Sequence, residues 1–306
     1  MLPPEDDVAE DDLPADDSVD EESASNDDVT SESSTAEQTI AEQGGAGEPE
    51  RRCYKLIISY DGLGFAGWQR QTAQRTVQEE LEKAIAVTTG DEKVTLLAGS
   101  RTDTGVHAIG QCATFRSSRW NAPAHRLALA LNTKLPNDVA VRAASEVPMT
   151  FSPIKHAMTK RYRYMMYSSR INNPLGRGNS WWVKRQLDVD AMRKAAEALI
   201  GEHDFLSFQT TGSPRKKTIR RVDSIDIASE PYLDGRLVTI EVEANGFLYN
   251  MMRNIAGSLM LVGVKQRSVE WMGQALAAMD RRAAGPTAPP YGLCLLRINY
   301  DPEREK

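Results

Sequence analysis

The amino-acid sequence predicts an α+β fold in which two ferredoxin-like halves share one continuous, mainly antiparallel sheet, flanked by helices, with a central cleft between the halves. Two observations support this prediction. Residues 53–147 carry the patterns of strand, helix, strand, strand, helix, strand, which is the order of a ferredoxin-like unit. Residues 161–300 repeat this order loosely. We therefore predict an N-terminal half, residues 51–155, and a C-terminal half, residues 156–306.

The first 50 residues differ in charge from the rest of the chain. They contain 18 Asp and Glu residues and neither Lys nor Arg. Such a segment buries too little apolar surface to offset its conformational entropy, so we predict a disordered acidic tail over residues 1–50. The other 256 residues keep all 37 basic groups against 25 acidic ones, a formal charge of +12. This charge is consistent with a polyanionic partner and equally consistent with an ordinary soluble surface.

Local patterns justify the elements of the first half. Residues 53–60 form an apolar strand that ends in the turn Asp61-Gly62, and glycines alternate with large rings in the loop 64–71. Thr76 followed by Glu79 predicts a capping box at the start of a helix. In this helix we expect four residues to face the core, namely Val77, Leu81, Ala84 and Ile85. The other elements predicted for this half are strands over 94–98 and 110–115, a helix over 123–131 and a strand over 139–147.

The second half follows a similar order. A strand over 161–167 interleaves aromatic and basic residues, and it precedes a helix that Asp188 caps and Gly201 ends. Apolar and polar residues alternate strictly over 237–244, which indicates a strand with one buried face. Further predicted elements are a strand over 219–227, helices over 249–262 and 268–279, and a closing strand over 293–300.

The cysteines and histidines show no metal or disulfide pattern. Cys53, Cys112 and Cys294 are odd in number and widely spaced, which predicts reduced thiols in the core. The four histidines lack the paired spacing of metal ligands. No apolar run approaches the roughly 20 residues of a membrane span, and the N-terminus lacks the features of a signal peptide. We therefore expect a cytoplasmic protein with no membrane segment.

The acid Asp103 lies on a turn between two apolar runs, where a carboxylate would sit at the mouth of the sheet. Gly105 is placed to supply the positive φ that closes such a turn. From the residues alone, ordinary turn chemistry is the favoured interpretation. Arg253 lies in an otherwise apolar helix, where it needs a carboxylate or phosphate partner unless it reaches solvent past the helix edge.

The strand around residue 162 carries rings on one face and charges on the other. Alternation with period two places Tyr162 and Tyr164 together and Arg161 and Arg163 together. The rings can stack on nucleic-acid bases or belong to an aromatic core. The densest basic run is Arg215-Lys216-Lys217 with Arg220-Arg221. Such a run is usually a solvated face, and we favour phosphate contact only if this half of the chain binds RNA.

Motifs between residues 60 and 295 resemble those of the tRNA pseudouridine synthase A (TruA) family. One is the string from Ser100 to Ala108, which matches the family's Gly-Arg-Thr-Asp-Ala-Gly-Val-His-Ala except at Ser100 and Thr104, where many members have Gly and Ala. Met252 stands where Val or Ile is usual. The other matching strings are Tyr60-Asp61-Gly62, Phe65-Ala66-Gly67-Trp68-Gln69-Arg70-Gln71, Arg161-Tyr162-Arg163-Tyr164, Phe247 to Gly257, and Pro289-Pro290-Tyr291-Gly292-Leu293-Cys294-Leu295.

The resemblance implies the pseudouridine synthase fold and a role for several residues. Asp103 would be the catalytic aspartate, acting as nucleophile or base, and Tyr162 would be the ring that packs on the target base. Arg253 would pair with Asp103 and keep it ionised, and Leu293 would line the base pocket. On the same basis we expect the substrate contacts to be Arg101, Thr102, His107, Tyr162, Arg163 and Leu293.

The resemblance also implies a reaction and an assembly. The chain would isomerise uridines at positions 38 to 40 of the tRNA anticodon stem-loop, as a homodimer that holds tRNA across both subunits and needs no metal or organic cofactor. Two alternatives stay open: a synthase of the same fold that acts on other RNA uridines, and a non-catalytic RNA-binding protein.

The acidic tail has no counterpart in the family motifs. Its charges would compete weakly with RNA for the basic part of the chain, or it serves as a solubility or adaptor segment, which we favour. Equal affinities of the full chain and of residues 51–306 for tRNA at low salt would support the second role.

Overall fold

A computed structural model describes residues 51–212 and 217–305 of the chain. The predicted acidic tail, and Arg215 and Lys216 of the basic run, lie outside the described residues. The strands are β1 (Arg52–Tyr60), β2 (Leu97–Ala98), β3 (His107–Ser117), β4 (Val139–Val147), β5 (Ala157–Ser168), β6 (Trp181–Val183), β7 (Gly201–Asp204), β8 (Ile219–Tyr232), β9 (Gly235–Ala244) and β10 (Leu293–Tyr300). The α-helices are α1 (Val77–Thr89), α2 (Ala124–Asn132), α3 (Val189–Ala196), α4 (Met251–Gly263) and α5 (Trp271–Ala277).

These strands form one sheet. Its main order is β4-β1-β3-β10-β5-β9-β8-β7, with β2 paired to β3 and β6 paired to β5. Within the described residues, the β3–β10 and β5–β6 pairings are parallel and the other pairings are antiparallel. The structure therefore confirms the predicted α+β fold with a continuous, mainly antiparallel sheet.

The strand order shows how the two halves join. β4-β1-β3, with β2 on the edge of β3 that β1 does not occupy, has the order of a ferredoxin-like unit, and β10-β5-β9-β8 has the same order in the second half. The junction is short, because β3 and β10 pair only through His107 with Cys294 and Ala108 with Leu295 in the described structure. The boundary between residues 155 and 156 stays a prediction.

Helices pack apolar faces against this sheet. The predicted inward positions Val77, Leu81 and Ile85 of α1 are fully buried. Beneath them, the rings of Tyr54 and Phe115 stack with their centroids 5.4 Å apart. The three cysteines are buried free thiols, as predicted. The core therefore uses the residues that the period-3.6 and period-2 patterns select.

Two local predictions for the first half were wrong in detail. The strand predicted over 94–98 is only β2, because the backbone N–H of Leu96 donates to the carboxylate of Glu82 on α1 at 3.1 Å. The capping box is also not formed. Thr76 is the N-cap residue, but its buried hydroxyl has no hydrogen-bond partner in the described structure, and Glu79 pairs with Lys83 at 2.8 Å instead.

Two glycines of the helices differ in the space around them. A methyl group at Gly257 of α4 would lie 1.8 Å from the carbonyl oxygen of Pro286, whereas one at Gly273 of α5 would lie 3.7 Å from the Cβ of Ala198. The first distance requires a backbone shift, and the second is an ordinary contact. The close approach at Gly257 therefore positions the segment around Pro286 against α4.

We expect Gly257→Ala to lower the free energy of unfolding by up to about 2 kcal/mol. Overpacking costs about 1–3 kcal/mol, and the roughly 1 kcal/mol by which alanine favours a helix over glycine offsets part of this cost. Gly273→Ala is the matched control, and it should be neutral or stabilising by up to about 1 kcal/mol. Urea unfolding of both variants measures the difference, and equal midpoints would contradict the overpacking argument.

Candidate active site in the cleft between the two halves

A cleft of about 1030 Å³ contains residues from both halves of the chain. The first half contributes residues 98–103, which precede β3. The second half contributes β5, the start of β10, and residues 245–252, which lead into α4. Five of the predicted site residues line the cleft, namely Arg101, Thr102, Asp103, Tyr162 and Leu293.

The turn that carries Asp103 is formed as predicted. The N–H of Val106 donates to the carbonyl oxygen of Asp103 at 3.1 Å, and Gly105 has a φ of 75°. An L-residue with a side chain rarely adopts this φ, so glycine closes the turn at little cost. Asp103 is thereby held immediately before β3.

The loop of residues 64–71, which is rich in glycine and aromatic residues, supports this turn through backbone hydrogen bonds. The N–H of Trp68 donates to the carbonyl oxygen of Thr102 at 3.0 Å, and the N–H of Gly105 donates to that of Phe65 at 3.4 Å. Gly67 permits the contact, because a Cβ there would lie 2.8 Å from the Thr102 oxygen. The loop of residues 64–71 therefore supports the backbone of the site.

The carboxylate of Asp103 is half-buried. Burial raises the pKa of Asp103, and the positive charge of Arg253 opposes this shift. Within residues 51–212 and 217–305, no group donates a hydrogen bond to the carboxylate. Its lone pairs therefore remain available, which suits a carboxylate that acts as a nucleophile or base.

Arg253 does not form the direct ion pair that the resemblance implies. Its Nε donates to the carbonyl oxygen of Ala288 at 2.7 Å, and its Nη1 donates to Oδ1 of Asn250 at 2.8 Å. No nitrogen of Arg253 lies within 4.0 Å of a carboxylate oxygen of Asp103. Burial lowers the pKa of Arg253, and the charge of Asp103 opposes that effect. The two groups therefore interact through their charges without a direct contact.

Tyr162 lies on β5 with its ring at the wall of the cleft. The side chain is buried, and its ring meets that of Phe247 edge-on with centroids 4.8 Å apart. The phenol oxygen lies 2.9 Å from Oγ of Ser100. Burial raises the pKa of Tyr162 to about 12, so the phenol is neutral at pH 7 and can donate or accept a hydrogen bond.

A buried polar residue that the sequence patterns did not indicate holds the segment before Asp103. Gln111 is fully buried. Its amide donates to the carbonyl oxygen of Ser100 at 2.7 Å and accepts from the N–H of Ser100 at 3.3 Å. The hydroxyl of Tyr60 in turn lies 2.7 Å from that of Thr102. A polar residue inside the apolar run 110–115 was the signal that could have identified Gln111.

His107 and Arg163 were predicted as substrate contacts, but they do not line the cleft. Cross-strand pairing places His107, Cys294, Arg163 and Glu241 in one row on one face of the sheet. Tyr162 belongs to the adjacent row, so it points to the opposite face. Arg163 pairs with Glu241 at 2.5 Å. His107 instead lines a second pocket, of about 360 Å³.

His107 connects two loops through its ring nitrogens. Nδ1 accepts from the N–H of Gly62 at 3.1 Å, and Nε2 lies 3.0 Å from the carbonyl oxygen of Tyr291, to which it donates in the neutral tautomer. These bonds use both nitrogens. The structure therefore gives His107 a bracing role between the loop after β1 and the loop before β10.

Basic side chains outnumber acidic ones in the lining of the cleft. Arg101, Lys160, Lys217 and Arg220 line it, whereas Glu202 is the acid besides Asp103 among the described lining residues. Arg101 is exposed. This excess of positive charge suits a phosphodiester backbone, which exchanges its counterions for lysine and arginine.

We also searched the described residues for metal sites and for membrane-spanning helices. They contain no group of three or more His, Cys, Asp or Glu side chains that could hold a metal ion. None of the helices in residues 51–212 and 217–305 is long and apolar enough to cross a membrane.

Comparison with known proteins identifies the family. The family model described as tRNA pseudouridine synthase matches residues 56–154 and 195–301, which include Asp103, Arg253 and Leu293 but not Tyr162. A protein named tRNA pseudouridine synthase A from Geobacter sp. (strain M21) is 44% identical over 81% of this chain and 99% of its own. Proteins of the same name from Geotalea uraniireducens (strain Rf4) and Acetivibrio thermocellus are 41% and 40% identical over 81% of this chain and 100% of theirs. The chain belongs to the tRNA pseudouridine synthase family.

Proposed function

We propose that this chain isomerises uridine to pseudouridine in tRNA, at positions 38 to 40 of the anticodon stem-loop. The observation that carries the proposal is the half-buried carboxylate of Asp103, without a hydrogen-bond donor in the described structure, in a cleft with basic residues around it. The relatives named tRNA pseudouridine synthase A support tRNA as the substrate.

The reaction exchanges one bond of the ribose for another. The bond between uracil N1 and ribose C1′ breaks, the base turns, C5 bonds to C1′, and the proton at C5 is lost to a base while N1 gains one. These atoms are inaccessible in a stacked helix, so the nucleotide must be unpaired or flipped into the cleft. The volume of about 1030 Å³ accommodates a nucleotide together with its neighbouring phosphates.

Each of three residues has a role in this proposal. Asp103 acts as the nucleophile or base towards the nucleotide, whether at the sugar, at the base or at a ribose proton. Tyr162 packs on the base and assists removal of the C5 proton through its hydroxyl. Arg253 lowers the pKa of Asp103 through its charge, which favours the ionised form.

We further propose that the protein works in the cytoplasm as a homodimer. A tRNA substrate and three buried free thiols support the location. The family resemblance supports the dimer, and Ile109, which is 56% exposed beside the second pocket, offers an apolar contact. Light scattering on the full chain tests the dimer, and a mass of one chain at micromolar concentration would refute it.

Release of tritium from tRNA labelled at uracil C5 tests the reaction and the role of Asp103. We expect release by the wild-type protein and none by Asp103→Asn, because the amide is neither a nucleophile nor a base. Asp226→Asn is the control, since Asp226 pairs with Arg161 away from the cleft, and it should retain wild-type release. If neither the wild-type protein nor Asp103→Asn released tritium while both bound tRNA, the non-catalytic RNA-binding alternative would replace this proposal.

The pH dependence of kcat/KM tests the electrostatic role of Arg253. Because the charge of Arg253 lowers the pKa of Asp103, Arg253→Ala should raise that pKa and move the acidic limb of the profile to higher pH. Turnover should fall on the order of 100-fold, as when one electrostatic group of a site is removed, with a smaller change in tRNA binding.

Two further variants separate this charge effect from other changes. Arg253→Lys keeps the positive charge and should retain an acidic limb closer to that of the wild-type protein. Arg163→Ala removes an arginine that pairs with Glu241 on the other face of the sheet and should leave the limb in place. An Arg253→Ala variant that weakened only tRNA binding would show that the assignment is wrong.

Mapping of pseudouridines in tRNA from a deletion strain tests the positions. We expect loss at positions 38 to 40 of the anticodon arm and its recovery when the gene is restored. Loss confined to other positions would favour the alternative, a synthase of the same fold that modifies other uridines.

A further inference from the structure

Ser100 makes a contact that the family motif does not provide. Its Oγ lies 2.9 Å from the phenol oxygen of Tyr162, across 62 positions of sequence. This is the one hydrogen bond of the Tyr162 hydroxyl within the described structure. At position 100 the family motif usually has glycine, which has no side chain to make it.

The backbone of Ser100 is held on both sides. The fully buried amide of Gln111 bonds both the N–H and the carbonyl oxygen of Ser100. The preceding residue, Gly99, donates its N–H to the carbonyl oxygen of Cys112 at 2.8 Å. A Cβ at Gly99 would meet the hydroxyl of Tyr300 at 2.6 Å, so the chain is closely packed at this point. The Ser100 hydroxyl therefore starts from a fixed backbone position.

The ring of Tyr162 needs a restraint that its apolar contacts do not supply. Its neighbour Phe247 meets it edge-on, which limits the position of the ring but leaves its hydroxyl undirected. The bond to Ser100 directs the hydroxyl and joins the ring to the segment that carries Asp103, three residues further on. The ring and the carboxylate are thereby connected through one rigid stretch of backbone.

We propose that Ser100 is a positioning residue of this active site: its hydroxyl, bonded to the phenol of Tyr162, fixes the orientation of the ring against which the target base packs. The inference rests on the proposed function, because it assigns the ring to base packing. Ser100 acts through Tyr162 and takes no part in bond making.

A double-mutant cycle on tritium release from C5-labelled tRNA tests this inference, with wild type, Ser100→Ala, Tyr162→Phe and the double variant compared at equal folded concentration. One hydrogen bond contributes a factor of about 2 to 10, so kcat of Ser100→Ala should fall by that factor while KM for tRNA stays within about twofold of the wild-type value. In the Tyr162→Phe background, Ser100→Ala should cause no further loss, because the phenol hydroxyl is already absent.

Thr104→Ala is the matched control. Thr104 is the other departure from the family motif and also carries a hydroxyl, but it is exposed and does not line the cleft. We expect it to retain wild-type kcat. Ser100→Gly, which restores the usual family residue, repeats the measurement with a second variant should Ser100→Ala fold poorly.

The outcomes distinguish this inference from the proposed function. Wild-type release together with an unchanged kcat in Ser100→Ala would overturn the role of Ser100 and leave the synthase activity intact. An equal loss in the wild-type and Tyr162→Phe backgrounds would also overturn it, because Ser100 would then act on something other than the phenol. Absence of release by the wild-type protein would remove the proposed function and this inference together.

Discussion

The short parallel junction between β3 and β10 is the constraint on which the candidate site depends. Two residue pairs join the halves there, and Asp103 precedes one strand while Leu293 begins the other. β5 lies next to β10, which brings Tyr162 beside the same junction. Asp103, Tyr162 and Leu293 come from distant parts of the chain, and the pairing of β3, β10 and β5 brings them together.

The sheet has arginines paired with glutamates on one face and the basic residues of the cleft on the other. On the face opposite Tyr162, Arg161 and Arg163 pair with Glu241, and Arg297 pairs with Glu243. Partly exposed pairs of this kind each contribute little to stability. Their effect on function is that these arginines are already neutralised by protein carboxylates. The cleft is lined by more basic than acidic side chains, which suits a nucleic-acid backbone.

Local sequence patterns predicted most of the elements and the turn, because their causes are local, but they did not predict the short strands β6 and β7. The glycine at position 105 closes the Asp103 turn, and β10 has the predicted bounds after two prolines and a glycine. Side-chain partners were harder to predict. His107 and Arg163 are adjacent in the motifs to residues of the cleft, but pleating sends them to the other face. Arg253 donates to the side chain of Asn250, which has a left-handed φ of 57°, and to the carbonyl oxygen of Ala288. No local sequence pattern predicts either of these contacts.

The separation of Arg253 from Asp103 is consistent with the role that we propose for Asp103. A direct bidentate ion pair would occupy the lone pairs of the carboxylate and make it a weaker nucleophile and base. Arg253 is instead held by two neutral acceptors, and its charge still lowers the pKa of Asp103. When RNA enters, its phosphates favour the protonated acid, and exclusion of water strengthens every charge interaction in the cleft. The fixed positive charge of Arg253 opposes this protonation without blocking the carboxylate. Its interaction with Asp103 also becomes stronger when water is excluded.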